Sequence, residues 1–270
     1  MKLCLVLSTH DAQFQAVALK GRLADNLRKI AGWGYDSVEL AIRAPDIVDV
    51  AQLERDLAAQ DLTVPAIGTG QAWGEERLSF TSDDPTVRLA AIERIKSHIP
   101  LAARLDAIII VGLIRGVTPI GQSRQRSMIY LTEALQECTA VGAQYGVRFA
   151  LEPLNRYETD LIHTAQDGLQ LIERVGANNL GLLLDTFHMN IEEPDIEDSI
   201  VASGERIVHF HVADSNRWHP GAGHLAFESI LGALLSTGYQ GHISGEFMPC
   251  PDADTAAQRN IDYLQGLAIG

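Results

Sequence analysis

Two patterns alternate along the chain. Short runs rich in aliphatic and β-branched residues occupy positions 3–9, 37–42, 63–69, 107–113, 148–154, 180–187, 208–215 and 242–248. Between them lie longer stretches whose apolar positions recur at helical spacing. In 85–105, Val87, Ala91, Ile95, Ile99 and Ala102 form one such face behind an Asp83-Asp84-Pro85 start signal. The same reasoning predicts helices over 19–31, 50–60, 123–145, 165–175, 195–202, 226–235 and 254–267. Gly32/Gly34, Gly146, Gly176 and Gly238 stand where several of them close. Eight strands alternating with eight helices require parallel strands, because each helix is a crossover. An open doubly wound sheet competes with a closed barrel. Closure removes both sheet edges, and no linker or composition shift divides the chain. The expectation is an α/β chain folded as one (β/α)8 TIM barrel over residues 1–270. The segment Met1 to Leu7 fits a first strand better than a leader, being too short and lacking a small-residue cleavage site.

Strands inside such a barrel should be almost wholly apolar. Four depart from this, all near their ends. They read Phe149-Ala150-Leu151-Glu152-Pro153, Leu182-Leu183-Leu184-Asp185-Thr186, His209-Phe210-His211-Val212 and Ile243-Ser244-Gly245-Glu246-Phe247. A barrel's active site lies at the C-terminal end of its strands. Any one of these residues alone would pass for a structural carboxylate or a satisfied core histidine. Together they bring three carboxylates to one place, with no Lys in or beside those strands and with Arg156 and Arg217 in the loops beyond. Such carboxylates would repel one another and take up protons. A divalent cation bound by Glu152, Asp185, His211 and Glu246 resolves the conflict. Three oxygens and one nitrogen, with room for two substrate oxygens, favour Mn2+. Co2+, Mg2+ and Zn2+ also suit the set.

The net charge of −14 disfavours a phosphate-backbone partner without disfavouring a metal. Cys4, Cys138 and Cys250 are scattered, giving neither a disulfide framework nor a zinc knuckle, so a reducing cytoplasm is expected. No apolar run approaches the ~18 to 20 residues of a membrane span. Gly68-Thr69-Gly70-Gln71-Ala72-Trp73-Gly74 lacks dinucleotide-binding spacing and suits a loop at the barrel mouth. The Trp33 and Tyr35 pair suits helix–loop packing.

Three further strings narrow the function: Glu152-Pro153-Leu154-Asn155-Arg156-Tyr157-Glu158, Asp185-Thr186-Phe187-His188-Met189-Asn190-Ile191-Glu192-Glu193 and His211-Val212-Ala213-Asp214-Ser215-Asn216-Arg217, completed by Gly245-Glu246-Phe247. They resemble the D-tagatose 3-epimerase / D-psicose (allulose) 3-epimerase family of the xylose-isomerase-like barrels. The match is strongest in the C-terminal half. The resemblance implies that Glu152, Asp185, His211 and Glu246 are the metal ligands and that Glu158, His188 and Arg217 hold the substrate's oxygens. It implies a homodimer or homotetramer. Glu158 and Arg217 each stand six residues past a ligand, in the loops above the site.

The expected function is a metal-dependent 3-epimerase of a free ketose of the tagatose, fructose, psicose or ribulose class, working through a cis-enediolate. Inversion at C3 needs a base on one face and an acid on the other, and Glu152 and Glu246 sit on strands three steps apart in the ring. Rival readings are an aldose–ketose isomerase of the hydroxypyruvate isomerase type, a dehydratase, an apurinic-site endonuclease-like protein and a non-catalytic sugar binder. The acidic charge and single ligand set weigh against the nuclease. One arginine in the late loops is thin for a phosphate dianion, which favours an unphosphorylated sugar.

Overall fold

The strands are buried on both faces, as a parallel sheet wrapped by helices demands. In the computed structural model, which describes residues 1–267, they are β1 (Lys2–Ser8), β2 (Leu19–Lys20), β3 (Ser37–Ala41), β4 (Ala66–Gly68), β5 (Ile108–Val111), β6 (Phe149–Leu151), β7 (Leu180–Asp185), β8 (Ile207–Val212) and β9 (His242–Gly245). All pair in parallel. The order β1-β3-β4-β5-β6-β7-β8-β9 is closed by β9 pairing with β1, so eight strands form the expected barrel. β2 is an addition. It pairs with Leu7 and Ser8 of β1, beyond the Lys2 to Leu5 stretch that β9 occupies.

Period-two alternation sorts the strand residues into two populations. Leu5, Leu7, Leu40, Ile67, Ile109, Phe149, Leu182 and Phe210 join the helices in one large core. Ala66, Ile108, Ile110, Ala150 and Leu183 form a separate cluster, consistent with the barrel interior. Gly142 on the fifth helix lets that helix approach the sheet, because a Cβ there would overlap the Phe149 ring.

The helices are α1 (Leu23–Gly32), α2 (Val50–Ala59), α3 (Gln71–Glu76), α4 (Pro85–Leu105), α5 (Arg124–Gln144), α6 (Ala165–Val175), α7 (Thr186–Glu192), α8 (Ile196–Ser203), α9 (Phe227–Ser236) and α10 (Ala253–Gly266). The start signal of α4 works as read: Asp84 accepts from the Thr86 N–H at 2.8 Å, with Pro85 in the first turn. A Thr164/Asp167 capping box opens α6, and Gly176, at φ 73°, closes it. Helix α1 starts four residues later than its periodicity suggests, because Leu19 and Lys20 extend along β1 instead. Two short helices, α3 and α7, stand where a loop and a strand end were expected. Tyr35 packs as expected of it: it is buried, and its hydroxyl donates to the Ala257 carbonyl at 2.8 Å.

Candidate metal centre and active site

Each of the four strand-end residues lies at the C-terminal mouth of the barrel. Glu152 directly follows β6, Asp185 ends β7, His211 is the penultimate residue of β8, and Glu246 directly follows β9. Their ligand atoms all lie within 4.8 Å of one another. His211 Nδ1 is 3.9 Å from Glu152 Oε1, 3.9 Å from Asp185 Oδ2 and 4.0 Å from Glu246 Oε2. These separations are too long for hydrogen bonds. They suit donors sharing one ion, since two atoms each about 2.1 Å from a cation can be at most about 4.2 Å apart. Among the described residues, Asp185 Oδ2 and His211 Nδ1 are buried with no hydrogen-bond partner. Asp185 Oδ1 is spent as the N-cap of α7, accepting from the Phe187 N–H at 2.8 Å, which leaves Oδ2 for the cluster. The set fits a divalent cation.

Behind His211 stands Glu39, on β3. Its Oε2 accepts from His209 Nε2 at 2.7 Å and from His211 Nε2 at 2.9 Å, all three groups being buried. The second contact turns the other ring nitrogen, Nδ1, toward the carboxylates. Glu39, His209 and His211 also lie close enough to suit an ion. Their mutual distances are those of hydrogen bonds, however, so this trio is already satisfied without one.

Burial, followed by the nearby Glu246 charge, raises the Glu152 carboxyl well above its ordinary range. Burial likewise pushes Glu246 up to about 7 and raises Asp185. Burial alone would keep His211 neutral, but the Glu39 charge and hydrogen bond outweigh it and push the imidazole up to about 10. These are the titrations of buried carboxylates crowded together.

The three expected substrate-binding residues line the same cavity, of about 250 Å³. Arg217 Nη1 donates to Glu158 Oε1 at 2.6 Å, and Nη2 lies 3.5 Å from Glu246 Oε2. The guanidinium sits over the Phe187 and Phe14 rings, 4.7 and 5.3 Å from their centroids. His188 is buried, and the backbone N–H and side-chain Nδ2 of Asn155 lie 3.3 and 2.7 Å from its Nδ1. Two donors on Nδ1 leave the ring proton on Nε2. That atom has no partner among the described residues and lies 3.8 Å from Asp185 Oδ2 and 3.9 Å from Glu152 Oε1. Burial holds His188 well below its ordinary range, hence neutral. It is therefore a hydrogen-bond donor facing the ligand cluster.

Two partners of the site are not obvious in the sequence. Glu39 is one. The other is Arg115, at the end of a single helical turn (Leu113–Arg115) after β5. It is fully buried, and its three nitrogens have no hydrogen-bond partner among the described residues. Its charge acts on Glu152 and Glu158. The carboxylates thus do have a buried cation beside them, which corrects the expectation from the late strands alone. One guanidinium against Glu152, Asp185 and Glu246 still leaves a net negative charge, with Glu158 already paired to Arg217. Arg115 follows a barrel strand at its C-terminal end, and that position was the available signal.

Residues 27–267 match the family model described as the Xylose isomerase-like TIM barrel. The chain belongs to this family. Among its relatives, the D-psicose 3-epimerase of Ruminiclostridium cellulolyticum is 32% identical over 228 residues, 80% of this chain and 75% of the relative. The L-ribulose 3-epimerase of Mesorhizobium japonicum is 30% identical over 267 residues, 94% of this chain and 87% of the relative. The crystal structure of a Methylomonas D-allulose 3-epimerase in complex with D-allulose superposes with a TM-score of 0.82 at 25% identity, covering 99% of this chain and 98% of the other. This kinship makes the chain an enzyme of the epimerase class.

Proposed function

We propose that the chain is a divalent-metal-dependent ketose 3-epimerase acting on a free keto-sugar, with Glu152 and Glu246 as its acid/base pair. The observation that carries this reading is their placement. The two carboxylates follow strands three steps apart in the ring, line one cavity, and both titrate above their ordinary range.

Glu152, Asp185, His211 and Glu246 would hold the ion, with Mn2+ favoured by the mixed oxygen and nitrogen set. When bound, it supplies Lewis-acid polarisation of the substrate's C2 carbonyl and C3 hydroxyl oxygens. Glu246 takes the C3 proton, and the electron pair of the broken C–H bond enters the enediolate. Glu152 returns a proton to the opposite face of C3, and the roles exchange in the reverse direction. Arg217 holds Glu246 and Glu158 in place beside the substrate's oxygens, and the His188 Nε2–H donates to one of them. The aromatic rings under Arg217 keep water from that side.

Glu246→Gln and Glu152→Gln should each abolish deuterium incorporation at C3 from heavy water while the ion stays bound, as read by NMR of the recovered ketose and by metal analysis. Near-full activity in either variant would defeat the acid/base assignment. Product identification from tagatose, fructose, psicose and ribulose separates C3 inversion from a C1–C2 shift.

A further inference from the structure

The cavity has a second wall, made by the residues after β4. In the ring of eight, β4 is third and β8 seventh, so this wall faces His211 from directly across the barrel. Gln71 and Glu75, one turn apart on α3, both line it. Gln71 is only 5% exposed.

The orientation of the Gln71 amide is fixed by its neighbours. The Ser8 hydroxyl donates its proton to the His10 carbonyl at 2.8 Å. Ser8 Oγ can therefore only accept from Gln71, which it does from Nε2–H at 2.8 Å. The carbonyl Oε1 is left buried without a partner among the described residues. Beside it, the Glu75 carboxylate accepts from Arg43 Nη1 at 3.0 Å and lies 3.2 Å from His10 Nε2. Those contacts, with a backbone hydrogen bond from Gln13, hold it in place and leave about one of a carboxylate's roughly four lone-pair sites open. Both groups are acceptors, so the ligand surface that satisfies them must donate. In a sugar that surface is its hydroxyl groups.

We infer that Gln71, with Glu75 beside it, is a specificity-determining group that binds the hydroxyls at the end of the ketose chain remote from the reacting carbons. The inference rests on the proposed reaction and adds the residues that read the length of the ketose's uncharged polyol tail. A buried acceptor left open disfavours the free site and any short ligand. A hydroxyl that reaches it removes that penalty, and one such bond is worth about a tenfold difference in binding.

The test uses the Mn2+-loaded full chain with a ketohexose, a ketopentose and a ketotetrose of matching configuration at C3. The wild type should prefer the ketohexose. Gln71→Met, of similar shape but without the acceptor, should cut the ketohexose-to-ketotetrose ratio of kcat/KM about tenfold, chiefly through KM. Glu75→Met should lower the same ratio independently, which covers misfolding of either variant. Equal losses across all three lengths, or none, would overturn the inference while leaving the reaction standing. So would a wild-type preference for a ketose with a carboxylate or phosphate tail. If the loaded wild type turns over no ketose, the reaction itself falls and this inference falls with it.

Discussion

Replacing Glu39 with Gln tests how the metal centre is held. Glu39 is not one of the four proposed ligands of the ion. Its Oε2 accepts hydrogen bonds from two buried imidazoles at 2.7 and 2.9 Å, and through His211 it reaches the proposed ion. Gln keeps the size but loses the charge, and its amide can turn an N–H toward a ring nitrogen that also carries a proton. Loss of such a partner behind a ligating histidine typically weakens metal binding about 10- to 100-fold, or about 1.4 to 2.7 kcal/mol. An opposing effect is also present. Glu39 is the main reason that His211 is pushed up to about 10, so in the wild type the ion must displace a proton at neutral pH. The variant is partly freed of that competition. Wild-type affinity should therefore climb more steeply with pH, and the gap between the two proteins should widen from pH 6.5 to pH 8.5. Calorimetric titration of Mn2+ into chelator-treated protein, in buffers of differing ionisation enthalpy, gives both the Kd and the protons released. Equal affinities with equal proton release would show that Glu39 does not tune His211.

Two further outcomes are expected. Gly112→Ala places a Cβ over Glu152 Oε2, so it should displace that carboxylate and cost at least tenfold in kcat while the thermal midpoint moves little; a fully active variant would show that Glu152 has slack. In the metal-free protein, His211 titrates near 10 in place of its ordinary 6.5, so the stability it contributes is complete below pH 6.5 and is lost as pH rises toward 10. Chelated protein should therefore melt at lower temperature at pH 9 than at pH 7, while added Mn2+ should stabilise more at the higher pH; a chelated midpoint that rises over this range would contradict the assignment.

Much of this molecule is readable in its sequence, because barrel strands are apolar enough for a late polar residue to stand out. Glu152 and Asp185 each end an aliphatic run, Glu246 ends the last strand segment, and the structure gathers them with His211 at one mouth. Glu39 has the same character but stands mid-strand, with no polar neighbour in sequence to signal its role. Its partners lie 170 and 172 residues away, and only barrel closure brings them together. Helix α7 is hidden for a related reason. Asp185 is at once the end of a strand and the cap of a helix, so the apolar run 180–187 gives no break between them. Helix α3, six residues long, is too short to establish a period, and the glycines around Thr69 read as loop. The orientation of the Gln71 amide depends on Ser8 at the end of β1 and on the His10 carbonyl in the loop beyond it.

The closing seam of the barrel has a consequence for how the enzyme comes to exist. Leu3 and Leu5 of β1 pair with Ile243 and Gly245 of β9, so the first and last strands must find each other across nearly the whole chain. Contacts so distant in sequence are slow to form. Glu246 stands one residue beyond the final rung of that seam. A growing chain therefore holds three of the four ligands before the ring can shut, and tight capture of the ion coincides with shutting it. The cation would then serve as a latch on the last step of assembly, and starving refolding protein of metal should leave an open, protease-sensitive β1–β9 seam before any effect on catalysis is measured.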